Sequence, residues 1–385
     1  MDLEARMDET DVIVIDMGSG VTKIGFCGED APRACVDTVT GQVLTATGTE
    51  GQDRQKKVVV GAEAYQNSEA ELTQPVRRGM LDYKDSGNAV ETLFQHAFSK
   101  VLAVEPEDFP LLILDAPTES KQAREWLGEL LFEKFKVKSL SMWNTAVMSL
   151  FSTGKTRGLV LESGDGVTHA VPVYEGYAIP HAVFKLDCGG ADITEELHAR
   201  CVEAGIPGVA ELDAMQQITV MRKMKEKLAT CVPDYEKACD LPDPSDQEHR
   251  SFELPDGSIV QIPHDIRFGG AEVLFSHAGE ETVQHVCTSA LNTLDADFRS
   301  ECMQNIVLAG GSTMIAGLPA KIKQEVQKIL GEKVQVLTDS QRKNAAWIGG
   351  SMFASFSTFP HYEITKADYD EGKIDLKGLI AKKTF

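Results

Sequence analysis

Two segments of the chain repeat one pattern, and that repeat constrains the fold more than any other feature. Val12-Ile13-Val14-Ile15-Asp16-Met17-Gly18-Ser19-Gly20-Val21-Thr22-Lys23 runs an apolar, β-branched stretch into a carboxylate, a Gly/Ser turn and a second apolar stretch. Gly158-Leu159-Val160-Leu161-Glu162-Ser163-Gly164-Asp165-Gly166-Val167-Thr168-His169 does the same. Each predicts strand, tight turn, strand. Glycine in such a turn admits positive φ and lets backbone N–H groups approach an anion. A carboxylate at the strand end suits a hydrated divalent cation. Two such hairpins facing each other would grip a nucleoside polyphosphate from both sides. Gly18, Gly20, Gly164 and Gly166 also read as plain hairpin turns, but the presence of both loops favours the cradle.

The chain has 385 residues, which is long for one core, so two lobes are expected. Its formal net charge of -21 sets a long-range field that repels nucleic acid and anionic membranes. Neither is therefore expected as a direct partner. No apolar run approaches the length of a transmembrane helix, and the polar start Met1-Asp2-Leu3-Glu4-Ala5-Arg6 is unlike a secretory signal. The eight cysteines form no C-x-x-C pair and read as reduced thiols.

Periodicity and turn residues predict strands and turns over 12–41, a polar surface loop over 43–57, and a helix over 88–102. They predict a buried strand at 111–114, a helix over 120–135 capped by Ser120, and another over 145–151. In the second half they predict helices over 192–204 and 214–229, a loop over 240–250, and a hairpin over 251–262 turning at Pro255-Asp256-Gly257. A buried strand at 306–309, a helix opened by Gly317-Leu318-Pro319, a short strand at 334–337 and a small-residue helix over 345–356 follow. Strands alternating with helices in both halves imply α/β lobes, and the repeated hairpin implies duplication. The cleft between lobes is the expected ligand site.

Six strings carry a resemblance: Asp16-Met17-Gly18-Ser19-Gly20, Gly28-Glu29-Asp30-Ala31-Pro32-Arg33-Ala34, Ser163 to His169, Tyr174-Glu175-Gly176-Tyr177-Ala178-Ile179-Pro180-His181, Glu253-Leu254-Pro255-Asp256-Gly257 and Trp347-Ile348-Gly349-Gly350-Ser351. From about Val12 onward the chain resembles actin and the actin-related proteins, and it diverges between these strings. The resemblance implies the two-lobed, duplicated α/β ATPase fold with four subdomains and a central nucleotide cleft, shared with sugar kinases and heat-shock chaperones. It implies a first lobe over 1–157 with a small subdomain at about 42–80. A second lobe over 158–345 would carry a small subdomain at about 195–272, and 346–385 would return to the first lobe.

It also implies ATP or ADP with Mg²⁺ or Ca²⁺ in the cleft. Ser19, Gly20, Val21 and Lys23 would form the first phosphate loop, and Gly164, Asp165, Gly166 and Val167 the second. Asp16 and Asp165 would hold the metal through water. Lys225 and Glu226 match positions at the ribose and adenine. Gly310, Gly311, Thr313 and Met314 match a loop contacting the nucleotide, and Lys343 a base-side contact. His169 matches a position near the attacking water, and it also reads as a satisfied structural histidine.

Departures from the family bear on mechanism. The family has a water-ordering glutamine where this chain has Thr145, and an aspartate where it has Glu162. Asn144 would substitute for the glutamine only if the turn shifted. Misplacement on the ångström scale costs on the order of 10²-fold in rate. ATP binding with slow or absent hydrolysis is therefore expected. Ile315 replaces a tyrosine near adenine. The polar loop around 43–55, the acidic segment Ser276-His277-Ala278-Gly279-Glu280-Glu281 and Ala191 in place of an arginine weaken filament contacts. Phe151, Gly154, Thr156, Tyr177, Met352, Phe353, Phe356, Thr358 and Phe359 match an apolar groove between the first and third subdomains that accepts partner helices.

The function expected is an actin-like, ATP-binding structural protein of the cytoplasm and cytoskeleton. It would serve as a subunit or adaptor of a larger assembly, cytoskeletal, dynein-linked or ciliary, with actin-like subunits among its partners. The alternatives are a divergent polymerising ATPase and, with less support, a nuclear chromatin-remodeller subunit. A sugar kinase is disfavoured by the strings at 174–181 and 347–351.

Overall fold

The computed structural model describes residues 11–46, 54–241, 250–276 and 281–371. The first lobe begins with β1 (Ile13–Met17), β2 (Val21–Phe26), β3 (Ala34–Asp37), β4 (Thr40–Ala46), β5 (Arg54–Val60), α1 (Ala62–Tyr65), β6 (Glu71–Thr73), β7 (Val76–Arg77) and β8 (Met80–Leu81). It continues through α2 (Gly87–His96), β9 (Pro110–Asp115), α3 (Lys121–Glu129), β10 (Ser139–Asn144) and α4 (Thr145–Phe151).

The second lobe carries β11 (Gly158–Ser163), β12 (Thr168–Tyr174), β13 (Tyr177–Ala178), β14 (Phe184–Leu186), α5 (Gly190–Glu203), α6 (Ala214–Leu228), α7 (Tyr235–Cys239), β15 (Ser251–Glu253) and β16 (Ile259–Gln261). After these come α8 (His264–Glu272), α9 (Val283–Asn292), α10 (Ala296–Gln304), β17 (Ile306–Ala309), α11 (Leu318–Leu330) and β18 (Val336–Leu337). The chain returns with α12 (Ala345–Ala354), β19 (Ile364–Thr365) and α13 (Lys366–Asp370).

The duplication is visible in the two main sheets. One has the order β19-β10-β9-β1-β2-β3, and the other β13-β12-β11-β17-β18 with β14 also on β12. In each, an antiparallel hairpin (β1/β2 or β11/β12) pairs on its first strand with a parallel strand reached by a long crossover (β9 or β17). The register repeats as well. Asp16 faces Lys23 across the first hairpin, and Glu162 faces His169 across the second.

Helices α4 and α12 lie between the sheets. Their core draws Val14 and Leu112 from one sheet, Val160 and Val307 from the other, and Trp347 from α12. The Trp347 indole donates to the Val14 carbonyl at 3.0 Å. Gly349 lets α12 lie directly on α4, because a Cβ there would come within 1.8 Å of the Met148 carbonyl oxygen. Each lobe also has its own core and a small appended subdomain.

Most expected elements are present, and Ser120 caps α3 by accepting from the Ala123 N–H at 3.1 Å. Two expectations change. The loop expected over 43–57 is largely two strands: β4 and β5 pair from Thr40↔Val60 to Ala46↔Arg54, and residues 47–53 lie outside the described residues. A ladder needs only backbone groups, so polar composition does not forbid it. Strand β10 was not foreseen. Its alternation of serine with large apolar residues suggests one wet face, yet every residue is buried. The Ser141 hydroxyl accepts from the Trp143 indole at 3.1 Å and donates to the Tyr362 carbonyl at 3.2 Å, while the buried Ser139 hydroxyl has no hydrogen-bond partner among the described residues. The loop expected over 240–250 and the acidic segment 276–281 fall mostly on 242–249 and 277–280, outside the described residues.

Candidate functional site

The two hairpin turns are built alike. The Gly18 N–H donates to the Val21 carbonyl at 3.2 Å, and the Gly164 N–H to the Val167 carbonyl at 3.0 Å. The loops meet reciprocally across the cleft. A Cβ on Gly20 would sit 2.6 Å from the Asp165 Cβ, and one on Gly166 would sit 2.7 Å from the Ser19 Oγ. Only glycine permits this approach at either position. The second loop is pinned from outside: the Gly164 carbonyl accepts from the Gly190 N–H at 2.9 Å and from the Ser312 hydroxyl at 2.7 Å.

Behind the loops lies a cavity of about 520 Å³, within the range of roughly 300–1,000 Å³ usual for small-molecule sites. It is lined by Asp16, Ser19, Gly20, Val21, Lys23, Gly164, Asp165, Gly166, Val167, Lys225, Glu226, Gly310, Gly311, Met314, Ile315 and Lys343, with Thr145, Glu162 and His169. The sequence therefore brings all but one of these candidates together. The exception is Thr313, which is fully buried and donates to the Gly310 carbonyl at 2.7 Å. Its short hydroxyl is spent on shaping the turn, so it supports the loop without lining the cavity. Arg222 also lines the cavity and was not foreseen. The signal was available, since it lies one helical turn before Lys225 and Glu226 on α6.

The polar groups form defined pairs. The Lys23 ammonium meets the Asp16 carboxylate at 2.6 Å. Lys225 donates to the Gly190 carbonyl at 2.7 Å, and burial pushes its pKa down. The Thr145 hydroxyl donates to Glu162 Oε2 at 2.7 Å. Glu162 keeps some surface open to the cavity, yet burial pushes its carboxyl up to about 7, with the Thr145 hydrogen bond pulling the other way. His169 is buried with Nε2 3.0 Å from the Thr118 hydroxyl, and burial lowers its pKa to about 4. Its ring is neutral at pH 7. Asn144 caps α4 by accepting from the Ala146 N–H at 2.8 Å. The turn is thus held, and the Asn144 amide oxygen is engaged in this cap.

The residues fit a nucleotide polyphosphate with its cation. Glycine-bearing loops line the cavity, and Lys23, Lys225, Arg222 and Lys343 supply positive charge around it. Asp16 and Asp165 offer one carboxylate on each loop, and the described residues contain no cluster of three or more metal-ligating side chains. Two carboxylates suit a hard cation that takes its remaining ligands from water and phosphate oxygens.

A model of the actin family matches residues 7–385, essentially the whole chain. The chain belongs to the actin family. Proteins of the family generally bind a nucleotide and a divalent cation, and they commonly interact with other proteins. No helix among the described residues is long and apolar enough to cross a membrane.

The expected partner groove is only partly assembled from the residues named for it. Met352, Phe356 and Tyr177 are 41%, 50% and 47% exposed, and Gly154, Thr156 and Thr358 are also open to solvent. Phe151 meets Phe356 edge-on at 5.7 Å. Phe353 and Phe359 are different: both are buried in the core between the sheets, with Phe353 4.6 Å from the Trp143 ring. On α12, Met352 and Phe353 point about 100° apart, so only one of them can face outward. A depression of about 830 Å³ collects Met352 and Phe356 with Ile348 and Ser152, but excludes Tyr177.

Proposed function

We propose that this member of the actin family is a structural ATP-binding subunit or adaptor of a larger assembly, with slow nucleotide hydrolysis. In this reading ATP or ADP with Mg²⁺ or Ca²⁺ joins the two lobes, and the phosphate loops hold the polyphosphate between them. Asp16 and Asp165 hold the cation through water, which would neutralise phosphate charge. Lys23 adds a fixed positive charge beside the first loop. Ile315 offers an aliphatic wall at the base.

The observation that carries slow turnover is the Thr145–Glu162 hydrogen bond. Thr145 has one hydroxyl proton and a short reach, and that proton is committed to a neighbouring carboxylate. A carboxamide offers a water both an N–H donor and a carbonyl acceptor, whereas the Thr145 hydroxyl, with its proton on Glu162, offers only acceptor lone pairs. The exposed Met352 and Phe356 offer an apolar surface for a partner helix. A cytoskeletal, dynein-linked or ciliary host in the cytoplasm is the assembly we favour over a nuclear remodeller.

One observation favours a second reading, a divergent polymerising ATPase. A carboxyl held near pH 7 is suited to accept a proton from water. The double substitution Thr145→Gln with Glu162→Asp separates the two. Restoring the family's residue pair is expected to raise phosphate release at saturating ATP by about tenfold or more. An unchanged or lower rate would mean that the present pair already supports the chemistry.

A further inference from the structure

Helix α6 carries two faces. Val220, Met221, Met224 and Leu228 are buried in the core of the second lobe's small subdomain. Met215, Ile218, Arg222 and Lys225 recur at spacings of three, four and three residues, and so form a separate stripe. The start of that stripe belongs to the other lobe. Met215 and Ile218 pack against the core formed by Val39, Val43, Val59, Ala64, Tyr65 and Ala70. The end of the stripe, Lys225, lines the nucleotide cavity.

Arg222 stands between these ends. Its guanidinium donates to Asp37 Oδ1 at 2.6 Å, across 185 residues of sequence, and lies 5.8 Å from the centroid of the Tyr65 ring. Both Asp37 and Tyr65 belong to the first lobe. The ion pair is mostly sheltered, with side-chain exposures of 23% and 21%. Asp37 does not line the cavity, while Arg222 does. The stripe therefore bridges the lobes beside the cavity.

We propose that Asp37 and Tyr65 are positioning residues that act through Arg222, clasping the first lobe to α6 and setting how long a bound nucleotide is retained. The proposal rests on the nucleotide-binding reading of the cavity. A ligand enclosed by two lobes leaves when they part, so its release rate follows the population of the open state. A partly sheltered ion pair contributes enough to that equilibrium to change the release rate several-fold. The apolar contact of Met215 and Ile218 adds to it.

The test uses the fluorescent probe etheno-ATP with Mg²⁺ and the full-length chain. Asp37→Asn is expected to release the probe about fivefold faster than wild type, with unchanged binding stoichiometry. Asp37→Glu should restore part of the slow release. Raising the salt concentration should speed release from wild type and have little effect on Asp37→Asn. A second readout needs no nucleotide: backbone amides of Val58 to Val60 should exchange hydrogen faster in apo Asp37→Asn than in apo wild type. Probe release unchanged by Asp37→Asn overturns the clasp and leaves the nucleotide site standing. A wild-type protein that binds no etheno-ATP overturns both readings.

Discussion

Lys23→Ala is expected to cost the protein both its fold reserve and its ligand. Asp16 is 3% exposed, and its partner at 2.6 Å is the Lys23 ammonium. Removing one member of a buried ion pair strands the other, a loss of about 3–5 kcal/mol. The same lysine stands beside the first phosphate loop, so the site loses a positive charge where the polyphosphate would lie. A ligand that binds only the folded state at about 1,000 times its Kd stabilises it by about 4 kcal/mol. Thermal melts with and without ATP therefore separate the two effects. Wild type should melt higher with ATP, whereas Lys23→Ala should melt lower throughout and show little shift. An equal ATP-induced shift in both proteins would remove Lys23 from the binding site.

Glu162→Gln is expected to stabilise the nucleotide-free protein at pH 8 and to flatten its pH dependence. Burial raises the folded-state pKa of Glu162 to about 7 from an ordinary value of 4.5. Below pH 4.5 the group is protonated in both folded and unfolded chains and contributes nothing. Between pH 4.5 and 7 the unfolded chain gives up the proton while the folded chain holds it, so stability falls as pH rises. Above pH 7 the full cost persists, on the order of 3 kcal/mol. A glutamine carbonyl still accepts from the Thr145 hydroxyl and carries no charge to desolvate. Denaturant unfolding at pH 5 and pH 8 measures the effect. A variant less stable than wild type at pH 8 would show that the Glu162 charge is compensated in the folded state.

The sequence made the hairpins legible because each turn depends on local chemistry. An apolar run, a carboxylate and a glycine at fixed spacing determine where backbone donors point, whatever surrounds them. The two loops, with Lys23 and Glu162, therefore line one cavity, and Lys225 and Glu226, which only the resemblance placed there, line it too. What stayed hidden depends on distant partners. Nothing local to Asp37 announces Arg222, and nothing local to β10 shows that both of its faces are covered. The burial of Phe353 was hidden for the same reason, since the inward face of α12 is set by the two sheets around it, and Phe359, beyond the end of α12, is buried in the same core. The hydroxyl of Thr313 serves its turn, because beside glycines it bonds the Gly310 carbonyl as readily as a ligand.

The central claim is a nucleotide held and scarcely hydrolysed. It is tested most directly by identifying the nucleotide released on denaturing gently purified native protein. The structure of the Thr145–Glu162 pair predicts that the released nucleotide is predominantly ATP, close to one per chain. Release of ADP would contradict slow hydrolysis and make Thr145 and Glu162 working residues of an ATPase.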